Sequence, residues 1–336
     1  MKPELYIRTD GNEQIGLGHL IRCSALGHML KVDFNITFFC KSIPESLKKE
    51  FKQYDFKVRR ITNERNFLDS ISSDNVIVLD GYDFDIEYQK RIKTKGCKLV
   101  FIDDLHNQEF MADLIINHTP GITPKDYNAQ PYTSFALGLD YALLRPSFLK
   151  QAKEERRIDH IKTLLITFGG ADPQGLTKKT LQVAIQCSYF KKIIVLTGTA
   201  FKEDPELLML LNKDNRIEYR KELEEQGMLT SMLEADLAIA PSSTVLLEIF
   251  TVGVPVISGY YIENQRYAAD VYRKNRLIYD VGDMTYNYQE KLKTKIDEIF
   301  KENLNDFIQR QKEIMRGSDG NITKIIMDIY SNGIGK

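Results

Sequence analysis

The sequence predicts an α/β protein made of two Rossmann-like domains facing a cleft. Short runs rich in Val and Ile recur, and each ends in small or acidic residues. Continuous apolar runs of this length suit strands buried on both faces of a parallel sheet. Longer polar segments with helical spacing separate the runs, which is the alternation of α/β units. The order then restarts after a charged stretch without strand pattern, LKQAKEERRIDHI (149–161). A length of 336 residues exceeds most single cores and favours two domains. The expected division is 1–150 and 151–336.

Taken in order, the predicted strands are LYIRTD (5–10), NITFFC (35–40), VIVLDGY (76–82), KLVFIDD (98–104) and LIINH (114–118) in the first half. They are TLLITFGG (163–170), KIIVLTG (192–198), RIEYR (216–220), LAIAPS (237–242) and VPVISG (254–259) in the second. Helical spacing falls over 19–32, 44–54, 85–95, 175–188, 203–212, 221–234 and 243–252. The stretch 289–331 reads as amphipathic helix broken at Gly317 and Gly320.

A formal net charge of -1 and the lack of any basic block interleaved with aromatics exclude a general nucleic-acid binder. The segment MKPELYIRTD has no apolar signal core, and no run approaches the ~18 apolar residues of a membrane span. Cys23, Cys40, Cys97 and Cys187 are scattered, without paired spacing, which speaks against a disulfide framework or a cysteine zinc site. A cytoplasmic protein without an integral membrane segment is expected.

Ligands of open α/β sheets bind beyond the carboxyl ends of the strands, and the unusual residues of this chain gather there. In RTDGNEQIGLGH, Arg8 and Asp10 end the first strand. Gly16 and Gly18 let the backbone turn sharply or approach a ligand, and His19 opens a helix. Helix-start amides favour an anion and a neutral imidazole, which suits a general base. The same letters also describe a tight turn. They do not make a dinucleotide fingerprint, because Ile21 stands three residues after Gly18.

In TFGGADPQGLTKKT, Gly169 and Gly170 precede a helix start near 175–177, a place for phosphate; the P-loop ending is missing. In APSSTVLLEIF, Ser242, Ser243 and Thr244 offer hydroxyls and amides, although Ser and Thr are also ordinary helix caps. Glu248, four residues after Thr244, can face the same side and accept both hydroxyls of a ribose. Asn264 and Gln265 follow the strand VPVISG and can bind phosphate or sugar hydroxyls; a polar helix cap reads equally well. Asp80-Gly81-Tyr82, Asp103-Asp104 and His118 also end strands of the first half, on the same rim as His19. No third ligand stands at a recognisable spacing from Asp103 and Asp104, so no metal is expected.

Together, "RTDGNEQIGLGHLIRC", "VIVLDGY", "FIDD", "LGLDYALLRPSF", "ITFGGADP", "APSSTVLLE" and "ENQ" resemble the PseG/SpsG UDP-sugar hydrolases, relatives of the MurG-like glycosyltransferases of GT-B fold. The ordered motifs run from residue 5 to about 270. The resemblance implies release of UDP and a free sugar from UDP-2,4-diacetamido-2,4,6-trideoxy-β-L-altrose, for pseudaminic acid synthesis. It implies that the C-terminal domain holds UDP and the N-terminal domain the sugar. The catalytic histidine falls on His19 and the tyrosine of the DxY motif on Tyr82. The serine-rich loop and its glutamate fall on Ser242, Ser243, Thr244 and Glu248, and the Asn-Gln pair on Asn264 and Gln265. A final helix, 320–331, would cross back to the first domain. Departures are a longer C-terminal part, about 280–336, and RPSF with Ser147 where the family's RxEF is acidic.

The implied partner is a small UDP-sugar, with no cofactor and no nucleic acid; the sequence fixes no oligomeric state. The expected chemistry is one displacement. His19 takes a proton from water, water attacks C1 with inversion, and UDP leaves. Domain closure would exclude bulk water. Two carboxylates of a classical glycosidase are not offered, because adjacent Asp103 and Asp104 point to opposite sides of a strand. The alternative is a glycosyltransferase that directs a hydroxyl acceptor to the same carbon.

Overall fold

A computed structural model describes residues 2–12, 15–198, 200–316 and 320–334. It divides into two compact units. The first comprises the residues up to Pro146 together with the helix Asn321–Ile334, and the second runs from Ser147 to Arg316.

The first unit carries β1 (Glu4–Thr9), β2 (Asn35–Cys40), β3 (Lys57–Arg60), β4 (Val76–Asp80), β5 (Lys98–Ile102), β6 (Glu109–Phe110), β7 (Leu114–Asn117), β8 (Asn128–Ala129) and β9 (Ser134–Leu137). Seven of them form one sheet in the order β3-β2-β1-β4-β5-β7-β9, and every pairing is parallel. The short β6 and β8 pair separately. Because side chains alternate along a strand, the sheet feeds two cores. Leu5, Ile7, Val76, Val78, Val100 and Ile102 pack on one face. Ile77, Leu79, Leu99, Phe101 and Ile115 pack on the other.

The helix Asn321–Ile334 belongs to the first of these faces through buried Ile322 and Ile326. Tyr330 meets Phe34 edge-on with ring centroids 5.7 Å apart, and the Thr323 hydroxyl donates to the Met29 carbonyl at 3.1 Å.

The second unit carries β10 (Thr163–Thr167), β11 (Lys192–Thr197), β12 (Ile217–Lys221), β13 (Leu237–Pro241), β14 (Val256–Tyr260) and β15 (Tyr279–Asp283). They form an all-parallel sheet in the order β12-β11-β10-β13-β14-β15. In each sheet the order reverses once near the middle, at β1/β4 and at β10/β13. The loops leaving those strands diverge there and open a crevice.

The structure departs from the sequence reading in places that share a cause. The strands β3, β9 and β15 carry no predicted run, and all three are sheet edges. An edge strand needs no double-sided burial, so KVRR can pair by its backbone while leaving three of its four side chains exposed. The charged segment 149–161 begins inside a helix, Pro146–Ala152, and the division between units falls before it. That helix is fastened from its first turn: the Ser147 amide donates to the Glu225 carboxylate at 2.7 Å, and the Ser147 hydroxyl donates to the same oxygen. Glu64–Leu68 and Glu263–Lys274 are further helices without a predicted counterpart.

The C-terminal stretch forms three helices, Tyr288–Ile299, Asn305–Met315 and Asn321–Ile334. Gly320 precedes the last with φ +89°; Gly317 lies outside the described residues. Among the described residues no helix is long and apolar enough to cross a membrane. All four cysteines are free and buried.

Candidate active site

The first unit gathers its ionisable residues at the β1/β4 reversal. The loop after β1 turns at Gly16, whose φ of +78° is a conformation open to glycine at little cost. The helix Gly18–Leu30 starts two residues later without a side-chain cap. His19 is its second residue. Parallel register sets Thr9 beside Asp80, the last residue of β4, so the helix start lies next to that carboxylate.

His19 Nδ1 lies 2.6 Å from Asp80 Oδ1, and both side chains are buried. One turn further on, Arg22 donates to Asp80 through Nε at 2.7 Å and Nη2 at 2.5 Å, and to Asp104 through Nη1 at 3.0 Å. Burial opposes the Asp80 charge, but Arg22 first and His19 second hold its carboxyl far below the usual range. Asp80 is therefore an anion. An unprotonated Nδ1 would turn its lone pair on that anion at 2.6 Å, with only Arg22 Nη2, at 3.0 Å, to donate to it, so the geometry favours the tautomer with the proton on Nδ1, donating to Asp80. Nε2 is left as the basic nitrogen. The arrangement is the histidine–carboxylate pair of general-base sites, in which the carboxylate fixes the tautomer and steadies the imidazolium formed on proton transfer.

Tyr82 stands over this pair. Its ring meets that of His19 edge-on at 5.0 Å, and its hydroxyl donates to Asp104 Oδ2 at 3.3 Å. Partial burial and the Asp104 carboxylate push the phenol up to about 12, so it remains a neutral hydroxyl. Tyr82, Arg22, Asp103, Asp104, Asn107 and Gln108 border a cavity of about 310 Å³, which Phe101 and Ile102 also line. His118, after β7, is buried; burial and nearby Arg22 lower it to about 4, so it is neutral. Asp103 is committed elsewhere, accepting from the Tyr127 hydroxyl at 3.0 Å and the His106 amide at 2.8 Å.

Arg8 and Asp10 end β1 in a separate cluster. Arg8 is 1% exposed and donates to both oxygens of Glu64, at 3.0 and 2.7 Å. It also pairs with Asp10 at 2.7 Å. The second oxygen of Asp10 accepts the amides of Lys41 and Ser42 at 2.6 and 2.9 Å. Arg8 therefore ties β1 to the start of the helix Glu64–Leu68, and Asp10 ties it to the loop after β2. In the motif RTDGNEQIGLGH, residues 13 and 14 lie outside the described set. Gly18 is the first helical residue, and a side chain there would meet open space.

At the β10/β13 reversal the second unit presents glycines and hydroxyls, with Asp172 and Glu248 as buried carboxylates. Gly169 has φ +77°, and the backbone after β11 packs directly on this turn: a Cβ on Gly198 would lie 2.8 Å from Gly170 Cα. The helix start beyond it corrects the sequence reading. Asp172 caps the helix Leu176–Ala184, accepting the amides of Leu176 and Thr177 at 2.8 and 2.7 Å. A carboxylate fills the position expected for phosphate, so that helix start offers no free anion site.

After β13, Ser242 is buried with its hydroxyl 2.9 Å from that of Ser258. Ser243 and Thr244 are half-buried, and the helix Val245–Val252 starts without a side-chain cap. Glu248 is buried on that helix. After β14, Asn264 is exposed, whereas Gln265 is buried and accepts the Tyr261 amide at 3.2 Å. Gln265 thus braces its own turn. Among the described residues no three His, Cys, Asp or Glu side chains gather as a metal site.

Sequence reasoning marked His19 and Tyr82 but gave Asp80 no chemical role and passed over Arg22. The signal was present: Arg22 follows His19 by three residues, the spacing of one helix face, and Asp80 ends a buried strand.

Comparison with known proteins follows the same lines. No family model matches the chain. It is 29% identical over 286 residues to an uncharacterized protein of Methanocaldococcus jannaschii, covering 81% of this chain and 58% of that one, so it spans little more than half of that relative. It is 25% identical to the spore coat polysaccharide biosynthesis protein SpsG of Bacillus subtilis, over 82% of this chain and 83% of that one. It is 24% identical to the UDP-2,4-diacetamido-2,4,6-trideoxy-β-L-altropyranose hydrolase of Campylobacter jejuni, over 79% and 94%.

Among solved structures, MurG of Acinetobacter baumannii superposes with TM-score 0.62 at 12% identity, over 99% of this chain and 100% of that one. Anabaena HepE, solved with UDP-glucose, superposes with TM-score 0.64 at 12% identity, over 98% and 99%. The fold is therefore GT-B. Within that class the chain is a sequence relative of SpsG and of the PseG-type hydrolase.

Proposed function

We propose that this chain is a UDP-sugar-processing enzyme of surface-glycan biosynthesis. Its reaction is hydrolysis of a UDP-linked diacetamido-trideoxy sugar to UDP and free sugar, with inversion at C1, on the way to a pseudaminic-acid-type nonulosonate. The name of one relative supports the substrate class, and that of another supports a place in polysaccharide biosynthesis. The observation that carries the chemistry is the His19–Asp80 pair at the β1/β4 reversal, with Nδ1 bound at 2.6 Å and Nε2 left to act as base.

His19 Nε2 takes a proton from water as the water oxygen bonds to C1. The bond from C1 to the phosphate oxygen breaks, and its electron pair stays on UDP. Asp80 steadies the imidazolium. UDP is a good leaving group, so no strong acid is needed. The first unit receives the sugar, and the cavity of about 310 Å³ beside Tyr82 has the size of a small ligand site. The second unit holds UDP: Glu248 takes the ribose hydroxyls, and the uncapped start of Val245–Val252 with Ser243 and Thr244 takes the diphosphate. Gly169 and Gly170 let the nucleotide approach the backbone, and Asn264 and Gln265 line the same rim. Gly16 and Gly18 shape the loop that presents His19, while Arg8 and Asp10 brace the end of β1 from which that loop leaves.

The test is proton NMR of the purified protein with UDP-2,4-diacetamido-2,4,6-trideoxy-β-L-altrose, without acceptor or added metal. Release of UDP and an inverted free sugar is expected. Substrate that binds and stays intact would replace hydrolysis with transfer to a hydroxyl acceptor.

A further inference from the structure

Arg22 has no part in the steps above, yet it joins three other side chains of the site. It is 5% exposed. Its guanidinium reaches Asp80 twice, at 2.7 and 2.5 Å, and Asp104 once, at 3.0 Å. Its Nη2 also lies 3.0 Å from His19 Nδ1. Through Asp104 it fixes the acceptor of the Tyr82 hydroxyl. One rigid fork thus sets both carboxylates against which the histidine and the tyrosine are aligned.

The charges explain why a cation is needed there. A buried carboxylate with no cation beside it is costly. It would also hold a proton on the adjacent imidazole and disable it as a base. Arg22 offsets that pull at nearly the distance of Asp80 itself. An arginine suits the task because it cannot give up its proton, and its planar fork spans two carboxylates at once. The groups that meet His19 are Asp80 at the end of β4, Tyr82 two residues on, and Arg22 from its own helix; Cys23 donates to Asp80, Asp104 accepts from Arg22, and His118 feels the charges of Arg22, Asp104 and Asp80.

We infer that Arg22 is a positioning residue of the hydrolytic site: it aligns Asp80 with Asp104 and offsets the Asp80 charge, so that His19 meets the attacking water with Nε2 free. This inference rests on the hydrolase reading.

The experiment compares pH profiles of kcat/KM for the wild type, Arg22→Lys and Arg22→Gln, with UDP affinity measured by calorimetry. For Arg22→Gln, turnover at neutral pH falls about 100-fold, the scale of general-base catalysis. Its UDP affinity stays unchanged. The acid limb moves to higher pH, so part of the loss is recovered in alkaline buffer. Arg22→Lys, which keeps the charge but not the fork, leaves the limb near its wild-type place. A loss of the same factor at every pH would mean a structural role only and would overturn the inference.

A second arm needs no turnover and no variant of Arg22. Nitrogen-15 NMR of histidine-labelled wild type, with His19 assigned through His19→Asn, should find the Nδ1–H tautomer. An Nε2–H tautomer overturns the inference whatever the enzyme hydrolyses. The Nδ1–H tautomer in a protein that leaves the UDP-sugar intact would retire the hydrolase reading and keep the positioning role.

Discussion

The two sheets reverse their strand order in the same way, yet their rims are built from opposite materials. At β1/β4 the first unit places His19, Arg22, Asp80 and Asp104 in one hydrogen-bonded group of ionisable side chains. At β10/β13 the second unit places glycines, serine hydroxyls and an uncapped helix start; of its buried carboxylates, Asp172 is turned onto the helix Leu176–Ala184 and Glu248 lies in the first turn of Val245–Val252. Backbone dipoles and hydroxyls hold an anion without titrating. Proton transfer needs a group whose charge changes and neighbours that tolerate the change. In the function proposed above, the first rim does the chemistry and the second grips the nucleotide, and each half of that division can be broken separately.

The largest effect is expected on the first rim. His19→Asn should lower kcat by at least ~10³-fold, and Asp80→Asn by a comparable factor through loss of the Nδ1–H tautomer, as general-base catalysis and its orienting carboxylate require. UDP affinity by calorimetry should stay within about threefold of wild type for both, since neither side chain belongs to the second unit. Near-normal kcat in His19→Asn would remove the base. A large fall in UDP affinity would erase the division of labour.

A smaller effect is expected on the second rim, with the opposite signature. Glu248→Ala should weaken UDP binding by ~1.5–3 kcal/mol, the range for hydrogen bonds to a charged group. At saturating substrate its kcat should change little. Unchanged UDP affinity would take Glu248 out of the nucleotide site. A fall in kcat alone would move chemistry onto the wrong rim.

The sequence displayed this architecture unevenly, for physical reasons. Central strands such as VIVLD and TLLIT are buried on both faces and read as unbroken apolar runs. KVRR and YDVGD lie at edges, where burial no longer dictates composition. His19 stood out because a histidine after GxG at a helix start is unusual. Arg22 did not, because an arginine in a helix is ordinary until a strand end 58 residues away is seen to face it. Arg8 and Asp10 show the reverse. They looked like ligand contacts at a strand end, and the structure joins them to Glu64 and to the backbone of Lys41 and Ser42.

That second ionic cluster yields the smallest expected effect and separates charge that supports the fold from charge that does chemistry. Burial acts against the Glu64 charge, but Arg8, Lys41 and the Tyr88 hydroxyl outweigh it and lower the carboxyl to about 2 from an ordinary value of 4.5. Its folded value lies below its unfolded value. The stabilisation is therefore present above pH 4.5 and lost as pH falls through about 2. Discounted for partial exposure, its size is on the order of 1–2 kcal/mol. His118 acts in a higher window. It is lowered from 6.5 to about 4, so the unfolded chain takes up its proton first, and stability declines as pH drops from 6.5 toward 4. Denaturant melts of the wild type should thus lose stability in two stages on acidification. Glu64→Gln should diminish only the lower stage, to which the lowered Asp80 carboxyl also contributes, and His118→Gln should flatten only the upper. If Glu64→Gln left the lower stage intact, the cluster around Arg8 would not be a source of acid sensitivity, and Arg8 and Asp10 would return as candidates for direct contact with substrate.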